Sequence, residues 1–462
     1  MNQSVYFDDA LPVFAAFARE RLGDELLKAS FFLRDVSGKL SLIVPENRTS
    51  AATREALSNE AVESLGRYAD EGGFAVTTAD ELFDDRLRNP PHLLTMPLSG
   101  AAFQGSVRVL DRRMVGSDWL IEPKSSHPFP PRIAFASIKG GVGRSTALCV
   151  LAADLAEEGR RVLAVDMDLE APGLGNMLLP GATLPKFGLL DYHVEIGLGD
   201  ISDQFLLDMV ASSWLGRGGG QVDVVPAIGQ ASIANPANVL SKLARAYLSG
   251  VGSADEEQGF SANMSILLQR LTSLTRYDVV LIDARAGLHE TTASAVVGLE
   301  ADVLLFGLNQ PQTFAGYDFM FAHLGLLPPR AIDDWRTRFR FVHAKAPADS
   351  KSHEEFADAV DRIVGSRLGS KPDPLAADVD VTGLADKFEV VWDKTAKIDL
   401  SKVDDAKQSP ILIFDDSRFN AFDPLREAQL LQRELYGATY GQFLAECRAM
   451  IDRAGQNEIE SS

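Results

Sequence analysis

The sequence predicts an α/β protein, a mostly parallel sheet with helices on both faces, preceded by a small α+β domain. Three observations predict it. Residues 132–146, RIAFASIKGGVGRST, run from an apolar stretch through a glycine-rich turn into a hydroxyl pair that opens a helical pattern. Strand-like and helix-like patterns then alternate through most of residues 132–450, the order that builds a parallel sheet covered on both sides. Two of those apolar strands close on acids, at Asp166-Met167-Asp168 and at Asp283. The loop and the carboxylates are therefore expected at one edge, where the strands end.

Composition sets the outer limits. The chain has 462 residues, enough for two or three domains and a large core. Its 46% hydrophobic and 24% charged residues are ordinary for a globular protein. There is no apolar run of bilayer length and no signal-peptide pattern at the start. Two cysteines, Cys149 and Cys447, cannot frame disulfides or a metal cluster, so a reduced, cytoplasmic protein is expected. The net charge of −20 comes with no basic run longer than a pair such as Arg112-Arg113, which argues against DNA binding. The polar, acidic end from Ile451 to Ser462 argues against a basic membrane-docking helix.

Residues 1–125 read as a small α+β module. Apolar residues at helical spacing mark Leu11 to Leu27. A hairpin across Ser37-Gly38 joins strands at Phe31–Val36 and Lys39–Val44. A second helix is expected over Thr49–Tyr68, without a capping box. Short strands follow near Phe74–Val76 and Val107–Leu110. The stretch from Leu110 to Leu120, with Arg112, Arg113 and Trp119, is expected to be a salt-bridged strand edge with a half-buried Trp. A partner-binding or nucleotide-sensing surface is the alternative. Residues 126–131 lie in the proline-rich linker PKSSHPFPP.

The glycine loop follows at once. Glycines let backbone N–H groups curl around an anion, and the helix N-terminus adds a favourable dipole. Gly143-Arg144-Ser145 matches the second half of G-x-x-x-x-G-K-[ST], with Arg for Lys. Ile138 stands where the first Gly would be, and Lys139 opens the loop. KGGVG, then a basic residue and two hydroxyls, resembles the deviant Walker-A ATPases of the ParA/MinD type, within the GVGR subset. The resemblance covers about two thirds of the chain, residues 132–455, and leaves 456–462 as a polar tail.

This resemblance implies a P-loop NTPase fold, ATP and Mg2+ as cofactors, and a homodimer that sandwiches two nucleotides. Gly140, Gly141, Val142, Gly143, Arg144, Ser145 and Thr146 would cradle the phosphates, with Lys139 reaching the partner subunit's nucleotide. Arg144 keeps the charge of the usual lysine but is bulkier. RVLAVDMD over Arg161–Asp168 corresponds to the D-x-D strand. There Asp168 would orient the attacking water and Asp166 would lie near the magnesium shell, with Glu170 a further polar contact. YDVVLID over Tyr277–Asp283 is a Walker-B pattern, with Asp283 holding magnesium through water and Ser145 as the other metal contact. ARAGLHETT then occupies the switch II position, with His289 expected to face solvent.

The remaining elements complete the alternation. A helical insert is expected over Ile201–Leu215, a glycine tip over Arg217–Gly220 and a strand over Gln221–Ala227. A helix over Pro236–Leu248 precedes an acidic loop, GSADEEQG, at 252–259. Another helix spans Asn263–Thr275. Further strands are expected at Asp302–Leu308, Arg338–Val342, Phe388–Trp392 and Ile411–Phe414, with a helix at Lys351–Arg367, a loop at Ser370–Leu384 and closing helices over Glu427–Ala454. His343-Ala344-Lys345 stands where the relatives carry an adenine-reading Asn. The resemblance implies an ATPase switch that signals to an unidentified protein partner in a bacterial regulatory or defence-type setting. A non-hydrolysing scaffold and a DNA-partition ATPase are the alternatives. A tyrosine kinase is set aside, because Tyr436 and Tyr440 sit inside a helical pattern rather than a tail.

Overall fold

The computed structural model describes residues 4–70, 72–90, 92–123, 128–216, 219–247, 259–328, 335–368 and 409–461, with side chains to 455. Part of the linker, half of the glycine tip, all but the last residue of the acidic loop, the 370–384 loop and the 388–392 strand lie outside these residues. The chain divides into two compact units, one built mainly from residues up to Leu120 and one mainly from Ile121 onward.

In the first unit, α1 (Phe7–Ala29) bends at Gly23, whose φ of 79° breaks the helix. Strands β1 (Phe31–Arg34) and β2 (Leu40–Ile43) form the expected hairpin. Helix α2 (Ala51–Leu65) starts at Ser50, whose hydroxyl accepts the Thr53 N–H, a simple cap without a box. Strands β3 (Val76–Thr77), β4 (Leu94–Ser99) and β5 (Gln104–Asp111) complete a sheet of order β3-β2-β1-β5-β4. Phe14, Ala18, Phe32, Leu42 and Val109 form its core. Arg112 pairs with Asp84 and Arg113 with Asp111, as a strand edge should, while Trp119 is fully rather than half buried.

The second unit holds β6 (Arg132–Ser137), α3 (Arg144–Glu157), β7 (Arg161–Asp166), α4 (Leu174–Leu178), α5 (Leu189–Glu195), α6 (Asp203–Leu207), β8 (Ala211–Ser212) and β9 (Gln221–Val225). It continues through α7 (Gln230–Ala234), α8 (Val239–Ala246), α9 (Phe260–Leu274), β10 (Val279–Ala286), α10 (Glu290–Ala293), β11 (Asp302–Gly307) and α11 (Pro311–Leu324). It closes with β12 (Phe339–Ala346), α12 (Ser350–Arg367), β13 (Ile411–Phe414) and α13 (Arg433–Ser461). Two expectations are corrected. Only Asp203–Leu207 of the Ile201–Leu215 insert is helical, because Ala211-Ser212 instead hydrogen-bonds along β9. Residues 456–461 continue α13 rather than forming a tail.

The eight strands take the order β13-β12-β11-β6-β10-β7-β9-β8, all parallel except β8. Alternate side chains feed opposite layers. Phe135, Leu281, Phe306, Val342 and Ile413 meet α3 and α13 through Leu148, Tyr436 and Phe443. On the other face Phe341 packs edge-on against Tyr317 of α11, with ring centroids 5.5 Å apart. The P-loop strand β6 thus lies in the middle of a doubly covered sheet, and its C-terminal end is the natural crevice.

Candidate nucleotide site

The register of the central strands sets the site. Asp283 of β10 pairs directly with Asp166 of β7 and with Phe135 of β6. Two carboxylates therefore end neighbouring strands beside the glycine loop. The loop turns through left-handed backbone at Gly141 (φ 76°) and Gly143 (φ 91°), which an L side chain resists. Val142 between them is buried and anchors the turn. Gly143 then caps α3, so Arg144, Ser145 and Thr146 open the helix.

Ser145 Oγ donates to Asp283 Oδ2 at 2.5 Å. Asp283 Oδ1 is buried and has no hydrogen-bond partner among the described residues. Burial pushes the Asp283 carboxyl above its ordinary range, opposed by the nearby Arg144 cation and the Ser145 hydroxyl. Asp166 is fully buried and accepts N–H bonds from Asp168, Gly173 and Leu174, so it ties down the loop after β7. Burial first, and then the charge of Asp283, raise its carboxyl to about 7. Two acids pushed upward side by side, one with an unsatisfied oxygen, favour a bound cation. Among the described residues no group of three His, Cys, Asp or Glu could enclose a metal alone.

The other expected residues are placed as follows. Arg144 is buried, and its guanidinium donates to the Ala284 carbonyl. Lys139 is exposed, with Nζ 3.5 Å from Gln310 Oε1. Asp168 is half-buried and accepts the Ala171 N–H at 3.2 Å, closing its own turn. Ser145, Arg144, Asp166 and Asp283 are thus brought together, while Lys139 and Asp168 stand at the rim. Ile138, the departure from the first glycine, faces Gly316 of α11, where a Cβ would lie 2.3 Å from Ile138 Cγ2. The bulk gained in the loop is matched by bulk missing from the helix.

Sequence reasoning missed a polar cluster over the rim. Arg285 forms an ion pair with Glu170, and His289 Nε2 lies 3.6 Å from the same carboxylate. His289 Nδ1 accepts the Thr291 N–H, and its ring meets Tyr247 edge-on at 4.9 Å. His289 is therefore half-buried, contrary to expectation, and burial lowers its pKa. The only signal was the position of ARAGLHETT after Asp283. On the opposite flank His343 is buried and stacked on Phe356 at 4.4 Å, and burial holds its ring down at about 4.

Residues 133–247 match the family model described as the CobQ/CobB/MinD/ParA nucleotide binding domain. The chain carries a ParA/MinD-like P-loop NTPase domain. An uncharacterized protein of Mycobacterium tuberculosis is 50% identical to the chain over 64 residues, which is 14% of this chain and 20% of that protein. The match thus spans about a fifth of that relative's length. Among solved structures, cobyrinic acid a,c-diamide synthase from Mycobacterium smegmatis with bound ADP and magnesium is 19% identical. It covers 50% of this chain and 82% of its own, with a TM-score of 0.33. The MinD cell division protein of Aquifex aeolicus is 15% identical, covering 71% of this chain and 96% of its own, with a TM-score of 0.37. Among the described residues of the ParA/MinD-like domain and the first unit, no helix is long and apolar enough to cross a membrane.

Proposed function

We propose that the protein is an ATP-binding and hydrolysing switch, working with Mg2+, that forms a nucleotide-sandwich dimer and signals its state to a protein partner. The observation that carries this reading is the buried, unpartnered Oδ1 of Asp283 beside the Ser145 hydroxyl at the foot of the glycine loop. The amides of Gly140 to Thr146 bind the β- and γ-phosphates, with the N-terminus of α3 behind them. Ser145 and Asp283 would hold magnesium, which when bound would offset the developing phosphate charge, and Asp166 orders the loop beside it. Asp168 orients the attacking water once the Ala171 turn relaxes. Lys139, exposed at the loop's entrance, reaches the nucleotide of a second copy. Signalling in a bacterial regulatory or defence-type system is the setting proposed.

The test is calorimetry with Mg2+ and ATP, ADP or a slowly hydrolysed analogue, followed by sizing. Micromolar binding and a monomer-to-dimer shift with the analogue are expected. No heat with any purine triphosphate would remove the reading. One observation favours a second reading, a scaffold with little turnover. Arg144 is engaged by the Ala284 carbonyl and Asp168 by its own turn, so neither is free as found. Single-turnover cleavage separates the two: phosphate released by the parent and absent in Asp168→Ala excludes the scaffold.

A further inference from the structure

We propose that Arg285 is the group by which this site tells a nucleoside triphosphate from a diphosphate, and that Glu170 holds it back until the triphosphate arrives. This rests on the reading that the glycine loop holds a nucleotide.

Four observations converge on the pair. First, the backbone around Arg285 is fixed against the end of β6, just before the glycine loop. Gly287 N–H donates to Ser137 O at 2.8 Å, Ala286 pairs with Ser137, and Thr292 Oγ1 donates to the Arg285 carbonyl at 2.9 Å. Only the side chain is left to move. Second, the base of the Glu170 loop is equally fixed, by the three N–H groups that Asp166 accepts. Third, the two side chains are 28% and 32% exposed, while the Arg285 Nη1 that faces Glu170 is itself buried. His289 lies against the same carboxylate and Tyr247 against His289, so Glu170 keeps polar company if Arg285 leaves. Fourth, the arginine at the usual phosphate position is occupied elsewhere, since Arg144 donates to the Ala284 carbonyl.

The chemistry favours exchange. A guanidinium binds phosphate through two N–H groups at once, and a terminal phosphate carries more charge than a carboxylate. A diphosphate leaves the outer position empty, and Arg285 stays on Glu170. A triphosphate fills it and draws Arg285 over, which frees Glu170 from the end of β10 and leaves it against His289. The terminal phosphate thereby gains a contact that exists in one state only, the requirement for any ligand-driven switch.

The test compares Mg·ADP with a non-hydrolysable Mg·ATP analogue by calorimetry on the full chain. Glu170→Gln keeps the shape and removes the competing charge. It is expected to tighten the analogue by about 3- to 10-fold while ADP stays within about twofold. Arg285→Gln is expected to weaken the analogue by about 10-fold or more and leave ADP alone. Should the glutamine variant not fold, Arg285→Lys gives the same reading with a smaller loss of the triphosphate preference. Equal changes for both nucleotides in either variant, or no change in their ratio, overturn the proposal. A parent that binds neither nucleotide removes the glycine-loop reading itself, and this inference with it.

Discussion

Two acids of the first unit, Glu81 and Asp84, and two of the second, Asp166 and Asp283, have opposite surroundings. In the first unit Glu81 receives both N–H arms of Arg54, the Thr77 hydroxyl and the Thr78 amide. The bond from Arg54 holds its carboxyl below the ordinary range. Asp84 is likewise lowered, first by Arg86 and then by Arg112. In the second unit Asp166 and Asp283 end adjacent strands in the interior and are pushed upward by burial. A carboxylate satisfied by its own fold supports the fold. One left short of a partner in the interior keeps a place for something else.

The sharpest way to break this comparison is a pair of isosteric changes. Asp283→Asn should weaken Mg·triphosphate binding by about 100-fold, since the carboxylate charge that would hold the cation's water is lost. Its ligand-free melting temperature should not fall, because a buried charge leaves with it. Glu81→Gln should do the reverse, leaving nucleotide binding intact and costing about 1–2 kcal/mol in denaturant titration. An Asp283→Asn chain that melts well below Glu81→Gln would sink the distinction. A smaller effect is expected at the seam between loop and helix. Gly316→Ala should cost about 1–3 kcal/mol through overpacking against Ile138 and weaken nucleotide binding, with Ile138→Ala restoring both. Additive losses in the double variant would refute the seam.

The smallest effect sharpens the rule from a different side. His193 is buried, stacked on Phe260 at 3.9 Å, and neither ring nitrogen has a hydrogen-bond partner among the described residues. Burial keeps the ring neutral, with a pKa lowered to about 3. The unfolded chain takes up this proton below about pH 6.5 and the folded one does not, so stability is lost as pH falls through that range. Between pH 7 and 5.5 His193 by itself should contribute about 1 kcal/mol of loss, and His193→Phe should reduce the slope by that amount in pH-dependent melts, leaving the share of His343. An unchanged slope in the variant would assign the loss to other groups.

What the sequence disclosed follows from how local each feature is. The glycine loop, the D-x-D strand and the Walker-B strand are each written in a few adjacent residues, and all three stand where the pattern put them. β4 was missed because Pro97 argues against a central strand, and β4 is an edge strand, where proline is tolerated. α11 was missed because Asn309-Gln310-Pro311 reads as a turn, yet Pro311 opens the helix, a favoured place for it. The Arg285–Glu170 pair and the Ile138–Gly316 contact could not be read at all. Each joins segments far apart in the chain that only strand order brings side by side.

The missing Cβ at Gly316 has one more consequence. With no room for a Cβ at Gly316, Ile138 at the start of the glycine loop seats directly on the backbone of α11. Phe319, one turn along the same helix, is 65% exposed. A change in the seat of α11 would therefore be felt first at Ile138, at the entrance of the glycine loop.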